Sequence, residues 1–236
     1  MEKIIGINPV KEALKSGRDI EKIEIYKGIT KDKSEEIIEK AKIKGIDIKF
    51  IDKKGENDQG VTAYIKDYNY TVSVEEFLEK IYNKKNVSIV ILDGIQDPRN
   101  FGAVIRSCEA FGIDGIIIPD RNNVKVNETV VKTSTGAIEY VDIIEVNNIS
   151  NAIEKIKKYG FWVYGAEADG TKNYYDENYP ERVCLVLGSE GNGIRKKVKE
   201  HCDIMLNIPM MGKINSLNVS VAGGILLAEI SKNGRG

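Results

Sequence analysis

The chain has 236 residues, 42% of them apolar and 30% charged, with 35 basic side chains against 36 acidic and a formal net charge of −1. That is enough for one large domain or a small domain joined to a medium one. It excludes the low-hydrophobicity, high-charge profile of disorder and a global cationic field for nucleic acid. No apolar run approaches the ~18 residues of a membrane span, and the first residues lack a signal-peptide pattern. The three cysteines and one histidine are not at zinc spacing. A cytoplasmic protein with no membrane and no metal partner is expected.

Asn8 as N-cap, Pro9 at the first helical position and Gly17 past the end predict a helix over 10–16. Residues 22–26 (KIEIY) read as a strand. Ser34, followed by Glu35 and Glu36, opens a second helix that Gly45 closes, and 46–51 and 61–65 read as further strands. Ser73 and Glu76 have capping-box spacing ahead of FLEKIY. This block ends near Tyr82, and the polar NKKN at 83–86 predicts a linker. Near-continuous apolar runs follow at 87–93, 114–119, 140–146, 161–167, 183–189 and 203–209. Helical segments fall near 101–111, 127–134, 150–159, 194–201 and 217–231. Such runs suit strands buried on both faces, so the expected fold class is α/β with a mostly parallel sheet.

Open α/β sheets place ligands at the carboxyl ends of their strands, so chemistry is sought in those loops. Three stand out. In 93–112, Asp97-Pro98-Arg99 leads into a helix, with Asn100, Gly102 and Arg106 as the informative residues; a capped helix with a solvated arginine is the plain alternative. In 186–194, Gly188, Gly191 and Gly193 expose backbone groups, and Glu190 adds an acceptor. The Gly188-x-x-x-x-Gly193 spacing lacks the Lys-Ser/Thr of a phosphate loop, which weakens a nucleotide hydrolase reading. In 208–230, Ser216, Asn218 and Ser220 cluster at the start of a nearly all-apolar helix, where they serve as caps or as ligands.

These three segments share their order and wording with a known set. N-F-G-A-V-I-R (100–106), L-G-S-E-G-N-G (187–193) and I-P-M-x-G-x-x-x-S-L-N-V-S-V-A (208–222) resemble the motifs of the SpoU (TrmH) family of RNA ribose 2′-O-methyltransferases. TSTGAIEY (133–140) is similar to the segment between the family's first and second motifs. GINPVKEAL (6–14) and DQGVTAYI (58–65) resemble the RlmB-type branch, which methylates a guanosine of 23S rRNA; Asn8-Pro9 and Asp58 depart from it, standing where histidine occurs in parts of that branch.

The resemblance implies a SPOUT-type domain over 87–236 with a C-terminal trefoil knot, a topology that connection rules alone disfavour. It is preceded by a small α/β RNA-binding domain over 1–82. It implies S-adenosylmethionine as cofactor, held by Gly188, Ile208 and Leu217. It also implies a catalytic surface of Asn100, Arg106, Glu190, Ser216 and Asn218, a homodimer, and 23S rRNA as partner. The same chemistry on tRNA, and a non-catalytic RNA-binding protein of this fold, are the alternatives. Family accounts make the arginine the general base. A permanent guanidinium cation suits phosphate or alkoxide binding better, leaving the proton to Glu190 or a phosphate oxygen. Arg195, Lys196, Lys197 and Lys199, together with Lys40, Lys42 and Lys44, are candidate phosphate contacts.

Overall fold

The computed structural model describes residues 2–55, 58–66, 70–214 and 216–232. The chain begins β1 (Glu2–Ile5), α1 (Ile7–Ser16), β2 (Ile20–Tyr26), α2 (Lys31–Ile43), β3 (Asp47–Ile51) and β4 (Val61–Ile65). These strands form a mixed sheet in the order β1-β4-β2-β3, in which only β2 and β3 run parallel. α1 starts two residues earlier than its sequence cap suggests. Gly6 is the N-cap, at φ +107°, and Asn8 lies inside the helix. The Ile7 N–H donates to the Gln59 side-chain oxygen at 3.2 Å, so a distant residue supplies the acceptor expected from Asn8. Gly17 ends the helix in the left-handed conformation, as its sequence position requires. Likewise α2 is capped at Thr30 rather than Ser34, whose hydroxyl donates back to the Thr30 carbonyl from within the helix.

The second sheet has eight strands, and all of its described pairings are parallel. In chain order its elements are β5 (Thr71–Val72), α3 (Val74–Lys80), β6 (Val87–Asp93), α4 (Pro98–Ala110), β7 (Gly115–Pro119), α5 (Glu128–Thr133), β8 (Asp142–Val146), α6 (Ile149–Lys157), β9 (Trp162–Ala166), β10 (Lys172–Asn173), β11 (Arg182–Gly188), α7 (Lys196–Lys199), β12 (Ile204–Asn207) and α8 (Val219–Ile230). The Ser73/Glu76 capping box on α3 is formed in both directions. The helix expected over 194–201 is a single turn. The strand expected from 140 starts at Asp142, because 137–139 make a 3-10 turn.

Sheet membership changes ahead of the composition break. β4 closes the small sheet at Ile65, whereas β5 is an edge strand of the large one, and α3 buries Phe77, Leu78 and Ile81 among Val87, Ile89 and Ile117. Residues 83–86 therefore connect two elements of the same unit. The two sheets also share one buried core, which runs from Ile4, Val10 and Ile23 to Val90, Phe101 and Val130. At their joint Arg18 pairs with Glu139, each side chain 3% exposed, and Tyr140 donates to Glu12. A Cβ on Gly136 (φ +97°) would stand 2.6 Å from the Glu12 side chain, so only glycine lets this turn seat against α1.

The strand order of the large sheet is β10-β12-β9-β11-β6-β7-β8-β5, so the last strand in the chain lies between two earlier ones. The segment joining β9 to β10 crosses over it. The Glu167 N–H donates to the Leu206 carbonyl at 3.0 Å, and a Cβ on Gly170 would be 2.4 Å from that carbonyl. The segment after β9 is thus seated directly on β12, and α8 then packs on α4 and β11.

Candidate active site at the strand ends

All three motif segments meet where β6, β11 and β12 end. Asp97 caps α4, its carboxylate accepting from the Arg99 N–H at 2.7 Å, and this places Asn100 in the first turn. Asn100 Nδ2 donates to Glu190 Oε1 at 2.7 Å. Asn218 Nδ2 reaches the same Oε1 at 2.8 Å and the Asn100 side-chain oxygen at 3.1 Å. Asn218 also caps α8, accepting from the Ser220 N–H and hydroxyl. One residue from each motif thus closes a triangle around a single carboxylate oxygen, and Glu190 Oε2 has no partner among the described residues.

Beside the triangle lies a cleft of about 660 Å³, lined by Gly188, Ile208, Ser216 and Leu217 together with Glu190 and Asn218. Its floor is apolar, with Leu187, Leu206 and Leu226. Among the described residues, the charged side chains on its wall are two carboxylates, Glu167 and Glu190. Gly188 has a structural duty. A Cβ there would stand 2.1 Å from the Gly193 carbonyl carbon, because residues 189–193 fold back on the strand end through paired Ser189–Gly193 backbone bonds. Gly191 (φ +91°) faces open space at the turn.

Arg106 stands apart from the triangle. It is exposed on α4, six residues beyond Asn100 and so about 240° around the helix, and has no ion-pair or hydrogen-bond partner among the described residues. Of the basic candidates, Arg195 and Lys199 are engaged, Lys199 with Glu167 at 3.5 Å. Lys40 pairs with Glu36 at 2.9 Å. Lys42, Lys44, Lys196 and Lys197 have no side-chain partner among the described residues.

Two residues that shape the site are not visible as motifs. Asp93, 1% exposed at the end of β6 and opposite Gly188, accepts from the Arg195 backbone N–H at 2.8 Å and its Nε at 2.7 Å. Glu167 accepts from the Ile194 N–H at 2.8 Å. Together these two carboxylates pin the C-terminal exit, Ile194-Arg195, of the turn that presents Glu190. The carboxylate at the end of VSIVILD is a signal for Asp93, but its partner lies 102 residues away. Asp58, one of the departures noted above, is buried and accepts from the Gly55 and Gly60 N–H groups, a turn-building role. Thiol nucleophiles are disfavoured, since burial raises the Cys108 and Cys184 thiols well above their ordinary range and Cys202 to about 12. Among the described residues no cluster of His, Cys, Asp and Glu is suited to a metal, and no helix is long and apolar enough to cross a membrane.

A parallel sheet whose last strand lies between two earlier ones, with three polar motifs converging beside a cleft, defines a class of RNA-modifying enzyme. The chain belongs to the SpoU rRNA methylase family, whose model matches residues 88–228. Residues 3–71 match a second model, RNA 2′-O ribose methyltransferase substrate binding. A Staphylococcus haemolyticus protein, whose name places it in the TrmH family of tRNA/rRNA methyltransferases, is 40% identical over 234 residues, covering 96% of this chain and 94% of its own. In fold the chain is similar to the SpoU methyltransferase AviRb of Streptomyces viridochromogenes, solved with the cofactor AdoMet, at TM-score 0.82 and 20% identity over 98% of this chain and 90% of that one. It is also similar to a structure described as an RNA 2′-O ribose methyltransferase, at TM-score 0.77 and 20% identity over 98% and 88%.

Proposed function

We propose that the protein transfers a methyl group from S-adenosylmethionine to a ribose 2′-hydroxyl of RNA, the target being a guanosine of 23S rRNA. The observation that carries this reading is the Asn100–Glu190–Asn218 triangle at the rim of the cleft. A volume of about 660 Å³ suits a cofactor of nucleoside size. Backbone groups of 188–193 can bond an adenine edge, and a wall with carboxylates and no cationic side chain favours a sulfonium over a polyphosphate. The cofactor supplies the electrophilic methyl group when bound.

The chain's own residues orient the nucleophile and take its proton. Asn100 and Asn218 hold Glu190 through one oxygen, and the other oxygen is free to accept from a ribose hydroxyl. Arg106, permanently charged, binds phosphate or the developing alkoxide. Ser216 and Leu217 line the cleft from the segment between β12 and α8. The protein acts as a homodimer, a reading supported by the exposed apolar side chains of Met211, Ile214, Leu217 and Val221 along the approach to α8. The small unit, which ends with β4 at Ile65, selects the RNA, and the unit from β5 onward carries the chemistry, so the boundary lies ahead of the 82/87 division expected from composition. The substrate-binding match over 3–71 supports this division.

The test is to incubate the full chain with radiolabelled S-adenosylmethionine and unmodified rRNA or tRNA, and to map the methylated position by primer extension. Label on the 2′-oxygen of one 23S rRNA guanosine is expected. Label only on tRNA moves the substrate while keeping the chemistry, and no label on either RNA removes the proposal. Sedimentation of a monomer at micromolar concentration removes the dimer.

A further inference from the structure

The cleft continues past the glycine turn. A second cavity, about 360 Å³, shares Ser189 and Glu190 with the first and extends along Gln96 and Asn122 to Arg195. A third, about 420 Å³, shares Asn122 and Arg195 with the second and ends at Arg121, Lys196 and Lys197. Shared walls make these one trough leading away from the catalytic triangle.

Charge along the trough is graded. Its catalytic end carries the Asp97 and Glu190 carboxylates. Its far end carries Arg121, Lys196 and Lys197 against one carboxylate, Asp120. None of these three cations has an ion-pair partner among the described residues, in a molecule where Lys11, Lys15, Lys22, Lys27, Lys80 and Lys84 are all paired. At the junction Arg195 has its Nε and one terminal nitrogen held by the buried Asp93, so its remaining donors are fixed in direction. That pair adds orientation rather than net charge.

We infer that the trough is the track of the substrate RNA strand, in which Arg121, Lys196 and Lys197 hold the backbone phosphates of nucleotides flanking the one presented to Glu190. The inference rests on RNA being the substrate, as proposed above, and adds where its backbone lies. A phosphate is repelled by the Asp97–Glu190 end and attracted by the other, so the grading places the flanking backbone phosphates at the Arg121–Lys196–Lys197 end. Gln96 and Asn122, between the two ends, present the amide and carbonyl groups that contact a nucleoside without adding charge.

The test measures the affinity of the full-length protein for single-stranded oligouridylate over a several-fold range of salt. Wild type is compared with the triple variant Arg121→Ala/Lys196→Ala/Lys197→Ala, and with Lys132→Ala/Lys158→Ala, which removes cations outside the trough. Each phosphate contact on a single strand contributes about 0.7 to the log–log salt slope, so the triple variant's slope should become shallower by about 2. The control variant's slope should stay at the wild-type value. Calorimetric affinity for S-adenosylmethionine and the unfolding midpoint report that the triple variant is folded. An unchanged slope in the folded triple variant, or an equal loss in the control, overturns the track. Failure of the wild type to methylate any RNA is a separate result: with the slope loss present it defeats the methyltransferase reading and leaves the track standing.

Discussion

The small mixed sheet and the strand ends of the large parallel sheet draw on the same balanced stock of charge and use it differently. In the small unit carboxylates on α1, α2 and β2 close on lysines, while Lys42 and Lys44 have no side-chain partner among the described residues. Glu36 takes both Lys11 (2.7 Å) and Lys40 (2.9 Å), Glu12 takes Lys15, and Glu24 takes Lys22 together with the Tyr64 hydroxyl. At the strand ends of the large unit polar atoms are arranged but left open. Glu190 is held through one oxygen only, and Arg106, Lys196 and Lys197 face solvent without partners among the described residues. Counting charges therefore says little about ligand sites, whereas pairing does: a charge that the fold has already satisfied has less to offer a substrate.

The joint between the units is the sharpest case of closed charge. Arg18 and Glu139 are buried against each other, with Arg18 also stacked over the Tyr70 ring at 4.4 Å. Glu139→Ala strands a buried guanidinium, and breaking such a pair costs about 3–5 kcal/mol. Urea unfolding of the full chain should show that loss. A loss below about 1 kcal/mol, the range of surface pairs, would place this pair with the solvent-screened ones and break the contrast at its strongest point.

Glu190→Gln probes open charge. The amide keeps shape and removes the free anionic acceptor, so turnover should fall about 100- to 1,000-fold. Stability should move within ±0.5 kcal/mol, as expected of an exposed residue. Turnover near wild type in a methyl-transfer assay would move the proton's destination to a phosphate oxygen or another group.

How much of this was legible in the sequence follows from the range of the interactions involved. β6 lies where VSIVILD places it, because burial on both faces writes a continuous apolar run. The α3 capping box and Gly17 are also local devices and are readable. The start of α1 was not, since its acceptor comes from Gln59. Neither was β5, two residues long and recruited by β8. The same division holds at the site. Asn100, Glu190 and Asn218 carry motif signals and meet, whereas Asp93 and Glu167 act on backbone N–H groups 102 and 27 residues away. In the sequence Gly188 stands only as exposed backbone and an implied cofactor contact. Its bareness is taken up first by its own turn, so Gly188→Val would disrupt 189–193 before it tested cofactor binding.

Arg106 separates two roles within open charge. It is exposed and unpaired, so neither Arg106→Lys nor Arg106→Ala should alter stability by more than about 0.5 kcal/mol. As a fixed cation it should lose about 100-fold in turnover on replacement by alanine and less on replacement by lysine, which keeps the charge and loses the planar fork. The pH–rate profile of Arg106→Lys should then match wild type. A profile shifted acidic by about one unit or more, with cofactor affinity intact, would instead make this side chain the base, since lysine deprotonates more readily than arginine.

The smallest effect is expected from closed charge on the small unit's surface. Glu36 is brought down to about 2, from an ordinary 4.5, by hydrogen bonds from Lys11 first and Lys40 second. A carboxyl whose folded value is depressed contributes stability above its unfolded value, and that contribution is lost as pH falls through the folded one. The window is therefore from about pH 4.5 down to about pH 2. The side chain is 38% exposed, so solvent and salt screen the pair and its worth stays in the ~0.2–1 kcal/mol range of surface pairs. Glu36→Gln should flatten the stability–pH curve in that window by no more than this, most visibly at low ionic strength, and leave methylation near pH 7 untouched. A variant that instead keeps the wild-type pH–stability curve and loses RNA methylation would show that Glu36, though paired, faces the substrate, and the rule that separates closed from open charge would fail on the small unit.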